Sequence, residues 1–332
     1  MKQLLHSTIT TATLFIIILG AVFSSSGFFS SSALAEPVST LAAVQKRGYL
    51  NCGVTDRMPG FSVHEENGKW TGFNVDFCRA LAAATLKDAR AVQLASYWLD
   101  ALVGGDVDVL HAGSTWTLSR DSQAKIEFPG VNFYDGQGFI AYGNLGLKTL
   151  KEAVLKKGLK VCSIGTTSTS LLHLQDFISK TGAQWEIVKI RTIDGLWRAF
   201  FGGRCDMAIH DRTSLVGIHA KRLKGSSDFV VFPEVISKEP LAPAVRQDDF
   251  AWRDLVAWVT FVTISAEELG LTQANVKDMK ATSTVPEIRR LLGVDKGIGK
   301  GFGLDDEWAY RVILQVGNYG EIFERNLGQK SI

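Results

Sequence analysis

Two short segments carry the residue types from which binding or catalysis can be built. Ser114-Thr115-Trp116-Thr117, with Arg120 just beyond it, and His210-Asp211-Arg212-Thr213 each follow a short apolar run that a Gly-Gly pair introduces. A guanidinium is a rigid fork of donors that grips a carboxylate through two parallel hydrogen bonds. An aspartate accepts from a cation or, at a helix start, from backbone amides. Arg120 therefore fits either a ligand clamp or a surface ion pair with Asp121, and Asp211 either a ligand acceptor or the N-cap of a helix over 213–223. His111, His173 and His210, with Asp211, offer candidate bases. No G-x-S-x-G or H-E-x-x-H accompanies them, and no nucleophile–base–orienter set is visible. Cys52, Cys78, Cys162 and Cys205 show no C-x-x-C spacing and no nearby histidine pair, which argues against a zinc site. No metal and no cofactor are expected.

The elements that must position these residues alternate between short β-runs and helical patterns, the signature of an α/β fold with largely parallel sheets. Strands are expected at Leu50–Val54, 91–94, 107–110 and 138–142, with a helix from about Asn74 that places Val75, Cys78, Leu81 and Ala82 on one face. From Lys148 the alternation starts afresh, with strands at 159–164, 186–190, 205–210 and 228–232 and helices between them. Gly104-Gly105-Asp106-Val107-Asp108 is echoed by Gly202-Gly203-Arg204-Cys205-Asp206. Gly-Gly suits a helix C-terminus, where left-handed backbone costs glycine little. Ligands of open α/β sheets bind beyond the carboxyl ends of strands, so two such lobes face to face would make a cleft. The segments 138–142 and Glu239–Arg246 are the candidate crossings between lobes.

The chain has 332 residues, 46% of them hydrophobic and 21% charged, with 36 Lys and Arg against 34 Asp and Glu. That composition excludes an intrinsically disordered chain, and a net charge of +2 leaves no basic excess for binding nucleic acid. Lys2, the apolar run Ala12 to Phe23 and Ala33-Leu34-Ala35 have the layout of a secretory signal with an A-x-A site, so cleavage is expected after Ala35. The apolar run is shorter than the ~20 residues of a spanning helix. The apolar stretch from Leu255 to Ile264 is short too, and reads as a buried helix. An exported chain meets an oxidising compartment, where four cysteines allow three pairings. Cys52–Cys78 and Cys162–Cys205 are expected, because each pair then stays within one lobe and leaves the lobes free to move.

Several segments together resemble a known family. Cys52-Gly53-Val54, Pro59-Gly60-Phe61-Ser62, Trp70-Thr71-Gly72-Phe73-Asn74-Val75-Asp76-Phe77-Cys78-Arg79-Ala80, Thr115-Trp116-Thr117-Leu118-Ser119-Arg120-Asp121, Tyr134-Asp135-Gly136-Gln137-Gly138-Phe139, Ile236-Ser237-Lys238-Glu239-Pro240-Leu241, Ala266-Glu267-Glu268-Leu269-Gly270 and Gln315-Val316-Gly317-Asn318-Tyr319-Gly320-Glu321 span nearly all of the chain beyond the signal. They are similar to periplasmic polar amino-acid-binding proteins of ABC importers (solute-binding protein family 3), and within these to the general L-amino-acid-binding subfamily. The resemblance implies a two-lobed type II binding protein with a ligand cleft between the lobes. Its expected parts are a signal peptide at 1–35, a discontinuous lobe one at 36–141 plus 237–332, and lobe two at 142–236.

A buried zwitterion needs a cation for its carboxylate and a carboxylate for its ammonium. The resemblance implies that Arg120 clamps the α-carboxylate, supported by Thr115 and the Gly113 backbone. It further implies that Thr167 and Thr166 add donors before a helix N-terminus and that Asp211 accepts the α-ammonium. Asp56, Met58 and Leu99 match positions facing the ligand side chain, Met58 and Leu99 as an adaptable apolar wall. The sequence departs from the subfamily at Trp98-Leu99, where it usually has Arg-Phe, and at His111-Ala112-Gly113, where it usually has Ser-Arg-Asn. The expected function is that of a periplasmic, monomeric receptor, not an enzyme, which takes an L-amino acid to the membrane permease of an ABC importer. The competing readings are an exported enzyme on the same fold, dehydratase-like, and a sensory receptor module.

Overall fold

The apolar run Leu50–Val54 is buried at four of its five positions and lies between two parallel neighbours, Val92–Ser96 and Val109–Thr115. Strands covered on both faces read as continuous rather than alternating apolar runs, which is why this segment is legible without periodicity. The computed structural model describes residues 39–328 apart from 57, 124, 166, 167, 223–227 and 248; the signal sequence lies outside the described residues. Two large sheets organise them. The first has the order Val92–Ser96, Leu50–Val54, Val109–Thr115, Glu239–Arg246, Ile126–Glu127, with Phe133–Asp135 also paired to Glu239–Arg246. The second has the order Glu186–Ile190, Lys160–Ile164, Met207–Asp211, Gln137–Tyr142, Phe229–Val231.

The Gly-Gly echo extends to pairing. Val109–Thr115 runs parallel to Leu50–Val54 on one side and antiparallel to Glu239–Arg246 on the other. Met207–Asp211 likewise runs parallel to Lys160–Ile164 and antiparallel to Gln137–Tyr142. Gly105 and Gly203 both sit at positive φ at the ends of their helices.

The change of lobe does not fall where the sequence placed it. Gln137–Tyr142 is a central strand of the second sheet, not a crossing, and the boundary drawn after Ala141 comes too late. The chain leaves the first sheet at Asp135 and enters the second at Gln137, so the first crossing is Gly136. Glu239–Arg246 is a strand of the first sheet, and the return crossing ends at Glu239. The reason is burial. Residues 137–141 are buried without exception and pair on both edges, which a solvated hinge segment does not do.

Strand alternation divides the second lobe's core. Phe139, Ala141, Val161, Met207 and Ile209 fill one face of the sheet, while Ile140, Cys162 and Ala208 fill the other. In the first lobe, the helix Phe73–Leu86 packs beneath the sheet against the helices Phe250–Glu268, Trp308–Gln315 and Tyr319–Asn326. Phe61, Phe73, Phe77 and Phe133 meet edge to face there. Cys52 bonds Cys78, and Cys162 bonds Cys205, each pair within one lobe. Closing loops of 26 and 43 residues contributes about 3.5–4 kcal/mol each by chain entropy.

Two of the resembling motifs do architectural work. Asn318 and Glu321 form a capping box at the start of Tyr319–Asn326, and the Asn318 amide also donates to the Leu271 carbonyl. Asp76 accepts from Arg79, Arg325 and Asn326, tying the last helix to the first lobe's central one. No helix among the described residues is long and apolar enough to cross a membrane.

Candidate functional site

The carboxyl ends of the parallel strands in both sheets open onto one cavity of about 490 Å³, well within the size range of small-molecule sites. From the first lobe it is lined by Thr55 and Met58 after Leu50–Val54, by Trp98, by Ala112, Gly113 and Thr115 from Val109–Thr115, and by Arg120. From the second lobe come Ile164, Ser168 to Ser170 at the start of the helix Thr169–Thr181, Arg191 to Ile193, His210 and Asp211. A larger groove of about 880 Å³ lies between the helices Leu150–Leu155 and Thr169–Thr181 of the second lobe. The first lobe contributes no group to its lining, so the paired charges place the site in the smaller, interlobe cavity.

Arg120 stands on the short helix Leu118–Gln123. Its Nη1 donates to the Thr115 carbonyl at 2.8 Å, and its Cζ lies over the Trp98 ring, 5.5 Å from the centroid. Arg120 makes no ion pair with Asp121 or any other described residue. Burial lowers its pKa from the usual guanidinium range, while Glu239 and Asp211 hold it up. Beside it Gly113 takes φ +64, and a Cβ there would come within 3.2 Å of Met58 Cε. The Met58 side chain thus lies against bare backbone, as the left-handed conformation and close approach require of glycine.

Asp211 ends Met207–Asp211 and stands opposite Gln137 in the ladder. Gln137 Nε2 donates to Asp211 Oδ1 at 2.5 Å and to Glu239 Oε2 at 2.6 Å. Burial, reinforced by the Asp135 carboxyl, pushes Asp211 up to about 7 against the opposing pull of Gln137, Glu239 and Arg120. Burial and then Asp211 push Glu239 up to about 7 as well. His210 is buried and held down at about 4, hence neutral, and its Nδ1 accepts from the Asp211 amide at 2.8 Å. The arrangement is a guanidinium in one lobe and a carboxyl in the other, facing a cavity with hydroxyls and an apolar wall.

Of the residues singled out from the sequence, the cavity gathers Arg120, Thr115, Gly113, Met58 and Asp211. Thr166 and Thr167 lie outside the described residues. Two others are not among the lining residues. Asp56 is not in the cavity lining: it accepts from the His64 amide, and its own amide donates to Ser96. Leu99, at the start of the helix Leu99–Gly104, packs instead against the first lobe's apolar cluster that includes Leu102, Val107 and Leu110. Trp98 does reach the cavity. His111 does not: it is buried, stacked on Phe77 at 5.9 Å, and burial holds it down at about 3.

Thr55, Ile164, Ser168 to Ser170 and Arg191 to Ile193 line the cavity without having been foreseen, and His210, which the sequence offered as a candidate base, lines it too. One sequence signal was available for Ser168: it precedes the amphipathic pattern from Ser170, and it caps that helix by accepting from the Ser170 amide at 3.1 Å. No histidine of the site bonds a serine, threonine or cysteine side chain among the described residues, and no described group of three His, Cys, Asp or Glu could hold a metal ion.

The comparisons with known proteins agree with the family and the fold. The model of the bacterial extracellular solute-binding proteins, family 3, matches residues 50–256. The general L-amino acid-binding periplasmic protein AapJ of Rhizobium johnstonii is 41% identical over 305 residues, covering 90% of this chain and 88% of that protein. The glutamate/glutamine/aspartate/asparagine-binding protein BztA of Rhodobacter capsulatus is 41% identical over 313 residues, covering 91% of each. The structure of a periplasmic binding protein from Brucella ovis, with glutathione bound, superposes with a TM-score of 0.84 at 40% identity, covering 89% of this chain and 92% of that one.

Proposed function

The chain belongs to the bacterial extracellular solute-binding proteins of family 3, and from that premise we propose that it is a receptor that holds an L-amino acid between its lobes and delivers it to the permease of an ABC importer. The observation that carries the ligand class is Arg120 in one lobe and Asp211 in the other, lining a single cavity. A zwitterion satisfies both, and burying either charge without a partner is costly. In this reading Arg120 clamps the α-carboxylate. Thr115, the Gly113 backbone and the N-terminus of Thr169–Thr181, with Thr166 and Thr167 just before it, supply further donors. Asp211 accepts the ammonium, while Met58 and Trp98 wall the side chain.

The names of the relatives support this choice: AapJ is described as binding general L-amino acids and BztA glutamate, glutamine, aspartate and asparagine. Residues 1–35 act as a signal removed after Ala35, so that the receptor works as a periplasmic monomer. It closes because contacts from both lobes exist only in the closed form, and a ligand shifts that equilibrium by its preference for one state. The protein is a receptor and not an enzyme. His210 spends Nδ1 on the backbone and His111 is sealed behind Phe77, which leaves neither as a base at the cavity.

The test is a panel of the proteinogenic L-amino acids against refolded, ligand-stripped protein. At least one is expected to give a calorimetric isotherm and, at 100 Kd, to stabilise the fold by about 2.7 kcal/mol. Failure of the whole panel overturns the amino-acid assignment.

A further inference from the structure

Beneath the cavity, one amide joins the ligand-facing strand to both crossings. Gln137 and Glu239 are each 0% exposed. The Gln137 amide nitrogen donates to Asp211 in the second lobe and to Glu239, the residue where the chain re-enters the first lobe. Its backbone is held as well: its N–H donates to Ser237 Oγ at 2.9 Å, and its carbonyl accepts from Ile236 at 2.9 Å. Asp211 and Glu239 thus accept from one and the same amide nitrogen. Glu239 Oε1 has no hydrogen-bond partner among the described residues; His173 Nε2 stands 3.7 Å from it.

The charges around the pair do not balance. Asp135 adds a third carboxyl and is served by Gly136 and Thr213. Neutral His210 flanks it, Arg120 faces the pair from the first lobe, and His173 faces it from the helix Thr169–Thr181. Two carboxylates sharing a dry site with a neutral amide between them cannot both ionise cheaply.

We propose that Glu239 is a positioning residue for ligand binding. In the empty cleft Glu239 and Asp211 hold one proton between them, and an arriving ligand ammonium displaces that proton to solvent, so that both stand ionised in the loaded receptor. The inference rests on the reading of Asp211 as the ammonium acceptor. Glu239 itself is outside the cavity lining. The upward shift of both carboxyls to about 7 puts the exchange within the neutral range.

The test uses the full mature chain and L-glutamine, whose uncharged side chain leaves only the α-groups to report. Release of one proton through about pH 7 makes wild-type affinity fall on the order of tenfold from pH 8 to pH 6. Glu239→Gln keeps the donor geometry of the protonated acid but cannot ionise, so the fall should shrink to the part that Asp211 carries through its own burial. A general packing defect would lower affinity equally at both pH values. Wild-type pH dependence retained in Glu239→Gln overturns the proposal, as does its loss in His173→Gln. The ligand-free protein supplies a separate reading. Carboxyls whose folded pKa is raised contribute stability that is lost as pH rises through about 7, so Glu239→Gln should gain in Tm relative to wild type between pH 6 and pH 8. An unchanged difference overturns proton sharing. Absence of L-glutamine binding to the wild type at either pH counts against the amino-acid reading, and the ligand-free comparison then decides the proton on its own.

Discussion

Thr213 gives both its backbone amide and its hydroxyl to Asp135, not to Asp211 two residues before it. The start of the helix Arg212–Arg222 is thus served from the crossing segment. Asp211 is spared the capping role that its sequence position suggests, and its carboxyl is left at the edge of the interlobe cavity.

Asp211→Asn removes the ammonium acceptor while leaving that helix start intact. Ligand affinity should fall by about 2–5 kcal/mol, the usual cost of truncating one partner of a buried charge pair. The sign for stability is opposite to that of a structural acid. A carboxyl raised to about 7 in the fold destabilises it above that pH, so the variant's Tm should match or exceed the wild type's at pH 8. Calorimetry and thermal melts on the same samples check both.

Arg120→Ala should weaken the ligand to a similar degree, and Arg120→Lys should recover only part of the loss, because an ammonium keeps the charge but not the fork or the stack on Trp98. Unchanged affinity in Arg120→Ala would show the carboxylate clamp to be elsewhere.

Gly113→Ala forces a side chain into φ +64 and against the Met58 thioether. The backbone cost is about 1–2 kcal/mol, and displacement of Met58 should change the ranking among amino acids of different side-chain size. Differential scanning fluorimetry with a ligand series reads both effects.

His111 is sealed in the first lobe's core and held near 3. A base whose folded pKa is depressed loses stability as pH falls below its ordinary value near 6.5 toward the folded one. His111→Phe, which preserves the flat contact with Phe77, should therefore gain in Tm relative to wild type as pH is lowered from 7 to 4.5.

A non-reducing peptide map should recover Cys52 linked to Cys78 and Cys162 linked to Cys205. Replacing both cysteines of the second pair by serine should cost about 4 kcal/mol on the chain-entropy estimate, read as a drop in denaturation midpoint. A peptide joining Cys52 to Cys162 or Cys205 would contradict the pairing.

Much of the site was legible because its residues sit where a buried strand gives way to polar chain. Gly113, Thr115 and Asp211 stand at the carboxyl-terminal ends of the two Gly-Gly strands and Arg120 just beyond, strands that run further than the sequence placed them. Met58 was found by resemblance, and Leu99 was lost by the same route: a resemblance aligns positions but does not say which way a six-residue helix rotates its side chains. Arg191 carries no mark in the sequence that separates it from other solvated loops, and Ser168 is marked only as a helix start. They reach the cavity only because the strands Glu186–Ile190 and Lys160–Ile164 end beside Met207–Asp211.

The amino-acid sequence by itself determined the α/β alternation and the two Gly-Gly strands, because burial pattern is a local property, and it favoured the intralobe cysteine pairs among the three pairings possible. It also marked the cation and the carboxylate that the cleft presents. Only the tertiary structure decided where the lobes change over. Gln137–Tyr142 and Glu239–Arg246 each look like a connecting run, yet each becomes a central strand once it finds antiparallel partners from distant chain. The same pairing sets Gln137 opposite Asp211 and brings Glu239, 102 residues from Gln137, onto the same amide. A contact of that range is written nowhere in the spacing of residues, and it is what gives the acceptor carboxyl its shifted proton affinity.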